Sequence, residues 1–233
     1  NFDQCIKEVP SWNWAYYYKG FAELNTSDYQ GAVNDLSTFI TKVDTLAQAY
    51  MSRANAYLKL NQANEAIKDY DKYLSMVPNN VDALMGKANA HVMLKDYDNY
   101  IKDLTQVIAI DPNNIDAYQN RASVYGMKQD WANAINDYTQ IINIKPDAQT
   151  YLSRAYANYA TQTAESFKNA VADYTKAEEL GAKTEQLFTA RSVCNKALKN
   201  YADEIKDYDN LLALNPEADL YYKRAMANYN SKQ

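Results

Sequence analysis

Apolar residues recur along this chain at three- and four-residue spacing, in blocks separated by short polar turns. That period belongs to amphipathic helices. The stretch QNRASVYGMKQDWANAINDYTQIINIKP, residues 119–146, shows the unit in full. One helix (helix A) is predicted over roughly Asn114–Lys128 and a second (helix B) over roughly Trp131–Ile144, with KQD as the turn. Pro146 and its polar neighbours close helix B, because proline lacks the amide hydrogen that would continue it.

The same skeleton returns along the chain. Pro78, Pro112 and Pro146 fall at intervals of 34 residues, Pro216 follows 70 later, and stepping back from Pro78 lands on Asp44 and Pro10. Gly20, Ala54, Ala88, Ala122, Ala155, Ser192 and Ala225 share one position, small where two helices must approach closely. A base precedes each: Lys19, Arg53, Lys87, Arg121, Arg154, Arg191 and Arg224. Further on stands an acid, at Asp35, Asp69, Asp103, Asp137, Asp173 and Asp207, followed by Leu36, Tyr70, Leu104, Tyr138, Tyr174 and Tyr208.

Period, two-helix unit and anchors resemble the tetratricopeptide repeat (TPR) family. Tyr118, Arg121, Ala122, Tyr125, Ala134, Tyr138 and Pro146 match its pattern, with Arg in place of the usual Leu. Six units match in register, and partial ones stand at both ends. The resemblance implies an all-α fold, a right-handed superhelix (solenoid) of tandem helical hairpins. Repeats are expected at 11–44, 45–78, 79–112, 113–146, 147–182 and 183–216. Residues 1–10 fit the second half of a helix B, and 217–233 a lone helix A or a cap. The chain therefore reads as a piece of a longer array, and any targeting segment or further domain would lie outside it; localisation stays open.

Three departures stand out. The unit over 147–182 carries extra residues around ATQTAESF, expected to lengthen helix A or the turn after it. Tyr100 and Glu204 occupy positions that are small elsewhere. Ala182 replaces the terminating proline, beside Gly181 as a helix C-cap.

Base and acid lie 16 residues apart in five units and 19 apart for Arg154 and Asp173. Helix B runs back along helix A, so the two can meet. Arg53–Asp69, Arg121–Asp137, Arg154–Asp173 and Arg191–Asp207 are expected as structural pairs inside each hairpin. Arg can engage a carboxylate through two parallel hydrogen bonds, which Lys cannot.

Composition narrows the function. The 233 residues carry a net charge of −5, with no basic excess to neutralise phosphates, so nucleic acid is not expected as a partner. No apolar run is long enough to span a membrane. Cys5 and Cys194 read as packing residues, and the single histidine, His91, as a packed and hydrogen-bonded one. One histidine rules out a multi-His metal site, and no cofactor is expected. There is no phosphate-binding glycine loop, nucleophile elbow or HExxH, so the chain is not expected to be an enzyme.

In the TPR family helices A line the concave groove that holds an extended peptide or a partner helix. Carried over, that role falls on Trp14, Tyr17, Phe21, Met51, Asn55, Met85, Asn89, Gln119, Ser123, Tyr156 and Tyr159. Tyr and Met offer contact area without a fixed charge, and Asn55 and Asn89 amides suited to a peptide backbone. Asp82 and Asp116 make the groove mildly acidic, which favours neutral, basic or apolar partners. The family's carboxylate clamp needs Lys and Arg on the groove face, and here the bases face helix B. Binding of an acidic chaperone tail is therefore not expected. A scaffold for a partner protein leads. The alternatives are the recruiting array of a larger enzyme and a self-associating module.

Overall fold

The computed structural model describes residues 2–232, and among them all regular structure is helical. The helices are α1 (Phe2–Glu8), α2 (Trp14–Asn25), α3 (Tyr29–Lys42), α4 (Ala47–Lys59), α5 (Ala63–Met76), α6 (Val81–Met93), α7 (Tyr97–Ile110), α8 (Ile115–Met127), α9 (Trp131–Ile144), α10 (Ala148–Thr161), α11 (Ala164–Glu179), α12 (Glu185–Ala197), α13 (Tyr201–Leu214) and α14 (Ala218–Asn230). The chain divides into two compact units, Asn1–Ala117 and Tyr118–Gln233.

Within each unit every helix packs against the next, from α1 to α7 in the first and from α9 to α14 in the second. Helices A also touch one another: α2 with α4, α4 with α6, and α10 with α12. These contacts place the helices A of a unit side by side. The fold is all-α, built of tandem hairpins as the repeat predicts.

The turn inside a hairpin is specified by two residues. After α4, Leu60 ends the helix, Asn61 takes the left-handed conformation at φ 59°, and Gln62 N–H donates to Tyr57 O at 2.8 Å. This 6→1 bond satisfies a carbonyl that the helix end would leave open. Ser27, Lys95, Gln129 and Lys199 hold the same conformation in their own turns. The next residue caps helix B where it is aspartate: Asp28 accepts from Gly31 N at 3.0 Å and Asp96 from Asn99 N at 3.2 Å.

Helix B stops where the sequence places its proline. Val77, Asp111, Lys145 and Asn215, each just before a proline, leave the helical region, which proline's ring disfavours for the residue before it. In α11 the stop is Gly181 at φ 97°, with Ala182 N–H donating to Ala177 O at 3.0 Å. Glycine alone takes that conformation freely.

The extra residues of the fifth full repeat go elsewhere than expected. The α10–α11 turn is shorter than its counterparts, Gln162 and Thr163 alone, and most of the insertion adds to the start of α11. Thr163 and Ser166 form a reciprocal capping box there, which stabilises an earlier helix start.

Between the helices lies a layer of small residues and aromatics. Ala54, Ala88, Ala122 and Ala155 are fully buried. A Cβ on Gly20 would stand 2.8 Å from Leu36 Cγ, so α2 and α3 meet at closer than alanine spacing. Phe39, Tyr50, Tyr70 and Tyr73 fill the first unit's core; Tyr174, Leu187, Phe188, Tyr208 and Leu211 fill the second's. Full burial of a side chain such as Leu36 or Phe39 contributes about 2 kcal/mol. Tyr100 and Glu204 are both buried where other repeats carry alanine.

Candidate partner-binding faces

The bases sit on the side of helix A that faces its helices B. Arg53 Nε and Nη2 donate to the two oxygens of Asp69, each at 2.7 Å. Arg121 reaches Asp137 at 2.9 and 2.7 Å, and Arg154 reaches Asp173 at the same two distances. Arg191 differs: both its donors go to Asp207 Oδ1, while Asn195 Nδ2 donates to Oδ2 at 3.1 Å. Hydrogen bonds donated to the carboxylate hold each of these guanidinium groups charged against the cost of burial.

In three of these arginines the third arm reaches back to the preceding helix B. Arg53 Nη1 donates to Ser37 Oγ at 3.0 Å, Arg154 Nη1 to Thr139 Oγ1 at 3.0 Å, and Arg191 Nη1 to Thr175 Oγ1 at 3.2 Å. Two repeats carry Lys, which has no fork, and there the preceding residue is an acid. Lys19 lies 3.0 Å from Asp3 and 2.9 Å from Asp35; Lys87 lies 2.8 Å from Asp71 and 3.6 Å from Asp103. Arg224 reaches Asp209 at 2.6 Å. The base therefore joins its own hairpin to the one before it. With every such group spent on framework contacts, the opposite face of the helices A carries few charges.

On that opposite face the first unit has a groove of about 730 Å³ between α2, α4 and α6. Asn55, Met85, Asn89 and Asp82 line it. Its floor comes from helix B: Tyr70, fully buried, passes between α4 and α6 and donates its hydroxyl to Asn55 Oδ1 at 2.5 Å. That bond fixes the amide's oxygen inward and turns its NH₂ toward the groove. Gly86 makes the passage possible, since any Cβ there would overlap the Tyr70 ring and hydroxyl.

The second unit has a groove of about 670 Å³ between α10 and α12, with Leu152, Tyr156, Tyr159, Leu187, Ala190 and Val193 in its walls and Tyr174 below. Tyr156 is 58% exposed and meets Trp131 edge to face at 5.9 Å. Tyr159 is half-buried against Phe167.

The other positions read from the sequence lie outside these grooves. Trp14 and Tyr17 pack on Phe39 of α3, with ring centroids 5.3 and 5.2 Å apart. Trp14 keeps one exposed side, and Phe21 is exposed on the same helix. Met51 packs against the first unit's core. Gln119 and Ser123 lie on α8, where Ser123 Oγ donates to Gln119 O at 2.8 Å.

Three acids, Asp103 and Glu204 buried and Glu23 partly so, are distinctive. Burial and the neighbouring Asp35 push the Glu23 carboxyl up to about 7, against the opposing pull of Lys19. Burial raises Asp103 and Glu204 above the ordinary carboxylate range, and each leaves one oxygen without a hydrogen bond. His91 is buried, as the sequence suggests, and its hydrogen bonding is incomplete. Its Nδ1 has no hydrogen-bond partner, and its two nitrogens stand 3.5 Å from Asp96 and Asp103. The Lys87 of this repeat stays short of Asp103, which leaves the acid only loosely held. Burial pushes the Cys194 thiol up to about 11. Among the described residues no cluster of His, Cys, Asp or Glu could hold a metal ion, and no helix is long and apolar enough to cross a membrane.

Sequence reasoning placed the groove on helix A alone and so missed the helix B tyrosines at its floor. The available signal was the residue just before each base. Gly86 faces Tyr70, and Ser153 lies in hydrogen-bond contact with Tyr138.

A family model described as tetratricopeptide repeat matches residues 51–115. No curated protein matches the chain. Among solved structures, the chain is similar to the MamA protein, at 21% identity and TM-score 0.58 over 72% of this chain and 95% of that one. It is similar to YrrB, described as a TPR protein with an unusual peptide-binding site, at 16% identity and TM-score 0.61 over 85% and 98%. A tetratricopeptide repeat protein from Parabacteroides merdae aligns over 97% of this chain and 90% of its own, at 16% identity and TM-score 0.56.

Proposed function

We propose that this chain, a tetratricopeptide-repeat protein, is a non-enzymatic scaffold that holds a partner peptide or helix along the helix A faces of its units. The observation that carries the reading is the groove built around Asn55, Met85 and Asn89. Its amides can bond a peptide backbone, its methionine can adapt to an apolar side chain, and its floor is held rigid by the Tyr70–Asn55 bond. A peptide-binding site is ascribed to YrrB, which shares the fold.

The groove's charge favours a neutral, basic or apolar partner. Asp82 stands in the first groove and Glu185 at the edge of the second, while Lys59 is the base of the first. No cluster of bases is present there to hold an acidic tail or a phosphate backbone.

Selection of displayed random peptides on the immobilised chain tests the reading. Enriched peptides are expected to lose binding about tenfold or more to Met85→Glu, which puts a charge in the groove. Enrichment that is indifferent to Met85→Glu and to Tyr156→Glu would remove the helix A faces from the function.

A further inference from the structure

Helix B tyrosines at one lattice position send their hydroxyls between consecutive helices A, and three of the four find partners. Tyr70 donates to Asn55. Tyr138 lies in hydrogen-bond contact with Ser153 and Ser123, and Tyr208 with Ser192 and Glu204. Tyr174 is the exception. The residue matching Ser153 is Ala190, and the residue matching Ser123 is Tyr156. Neither brings a short polar group to the spot.

Tyr174 is 4% exposed, yet its ring lines the floor of the second unit's groove. Among the described residues nothing hydrogen-bonds its hydroxyl, and the neighbours that act on it are Cys194, Tyr159, Tyr156 and Asp173, all without a hydrogen bond. A buried polar group in a folded protein is almost always bonded, to protein, water or ligand. Here the bond is left to whatever enters the groove. The walls, Leu152, Leu187, Ala190 and Val193, are aliphatic, with the rings of Tyr156 and Tyr159 beside them.

The aliphatic sides stand beside the Tyr174 ring, and Thr184, Glu185, Gln186 and Thr189 complete the lining. The pocket fits a flat apolar side chain that ends in a polar atom. A leucine or phenylalanine would fill the walls but leave the hydroxyl stripped of water. We propose that this pocket anchors a tyrosine side chain of the partner, whose phenol stacks between the walls and exchanges a hydrogen bond with the Tyr174 hydroxyl. The assignment rests on the proposed peptide-binding role and makes Tyr174 the residue that reads tyrosine against phenylalanine. Sites that bond a substrate hydroxyl discriminate strongly against the analogue lacking it, because their own polar group is then left unpaired.

The test uses 4-methylphenol as the tyrosine side chain and toluene as the phenylalanine side chain, each titrated into the full chain while amide signals are followed by NMR. Expected are shifts at Tyr156, Ala190 and Val193, with 4-methylphenol binding about fivefold or more tighter than toluene. Tyr174→Phe should abolish that preference while leaving toluene binding intact. Ala190→Ser should do the same by another route, since it supplies Tyr174 with the partner that Ser153 gives Tyr138. Equal binding of both probes to the unaltered chain, or a preference that survives both variants, would overturn the proposal. Selected peptides that bind the chain without tyrosine preference would sink this assignment while leaving the scaffold reading standing. Discrimination between the probes in a chain that selects no peptide would reject the scaffold reading alone.

Discussion

Lys87 Nζ lies 2.8 Å from Asp71, on the preceding hairpin, and 3.6 Å from Asp103, the acid of its own. The ammonium sits on Asp71 and stands off Asp103, whose Oδ2 is left buried without a hydrogen bond. An arginine has donors enough: Arg53 forks onto Asp69 and still reaches Ser37. Lys87→Arg should therefore stabilise the chain by about 1 kcal/mol. The check is the midpoint of urea unfolding. An unchanged or lower midpoint would show that Asp103 does not need the second donor.

Arg121 and Asp137 close the same contact without compromise, at 2.9 and 2.7 Å, with Asp137 almost fully buried. Removing the carboxylate leaves a guanidinium in a half-buried site with its charge uncompensated. Asp137→Ala is expected to cost ~3–5 kcal/mol. Chemical denaturation would reveal it, and a loss below about 0.5 kcal/mol, within the range of an ordinary surface change, would mean that the pair is not structural.

Much of this framework was legible because repetition turns weak signals into strong ones. One Arg and one Asp 16 residues apart mean little; the same spacing in unit after unit marks two helices returning on each other. The backward arm of the base was equally present in the sequence, as Asp3, Ser37, Asp71, Thr139, Thr175 and Asp209 on the lattice position after the aromatic. Its meaning emerged only with the packing, since a periodic pattern does not say which neighbouring repeat a side chain reaches. The grooves were legible to the level of helix A. Their tyrosine floors were not, because Tyr70 and Tyr174 stand on the framework lattice after the acid, and each packs in its unit's core. The insertion at 161–166 was visible, but its length did not say which helix would absorb it; the Thr163–Ser166 capping box settles that locally.

Lys95 and Gln129 hold φ near +58° without being glycine. A side chain in that conformation crowds the following carbonyl, at a cost of about 1–2 kcal/mol that glycine escapes. Glycine's greater freedom in the unfolded chain returns part of that gain. Lys95→Gly should raise stability by about 0.5–1 kcal/mol, seen as a higher melting temperature. A fall in melting temperature would show that the Lys95 side chain contributes more than its backbone strain removes.

The Glu23 carboxyl, raised to about 7, makes stability depend on pH with an unusual sign. Between the ordinary Glu range and about 7 the folded chain binds this proton more tightly than the unfolded one. Glu23's contribution therefore weakens as pH rises through that window. Glu23→Gln keeps the shape and removes the titration, so its unfolding midpoint should lose this part of the slope. Parallel pH profiles for the two proteins would show that Glu23 titrates as an ordinary surface acid.

The proposed function puts a partner on the helix A faces. Hydrogen–deuterium exchange of the chain, with and without a peptide taken from the display selection, tests it most directly. Slower exchange is expected in α4 and α6 around Asn55 and Asn89, or in α10 and α12 around Tyr156 and Val193, with the outer helices α5, α7, α11 and α13 unchanged. Protection confined to those outer helices would contradict the claim.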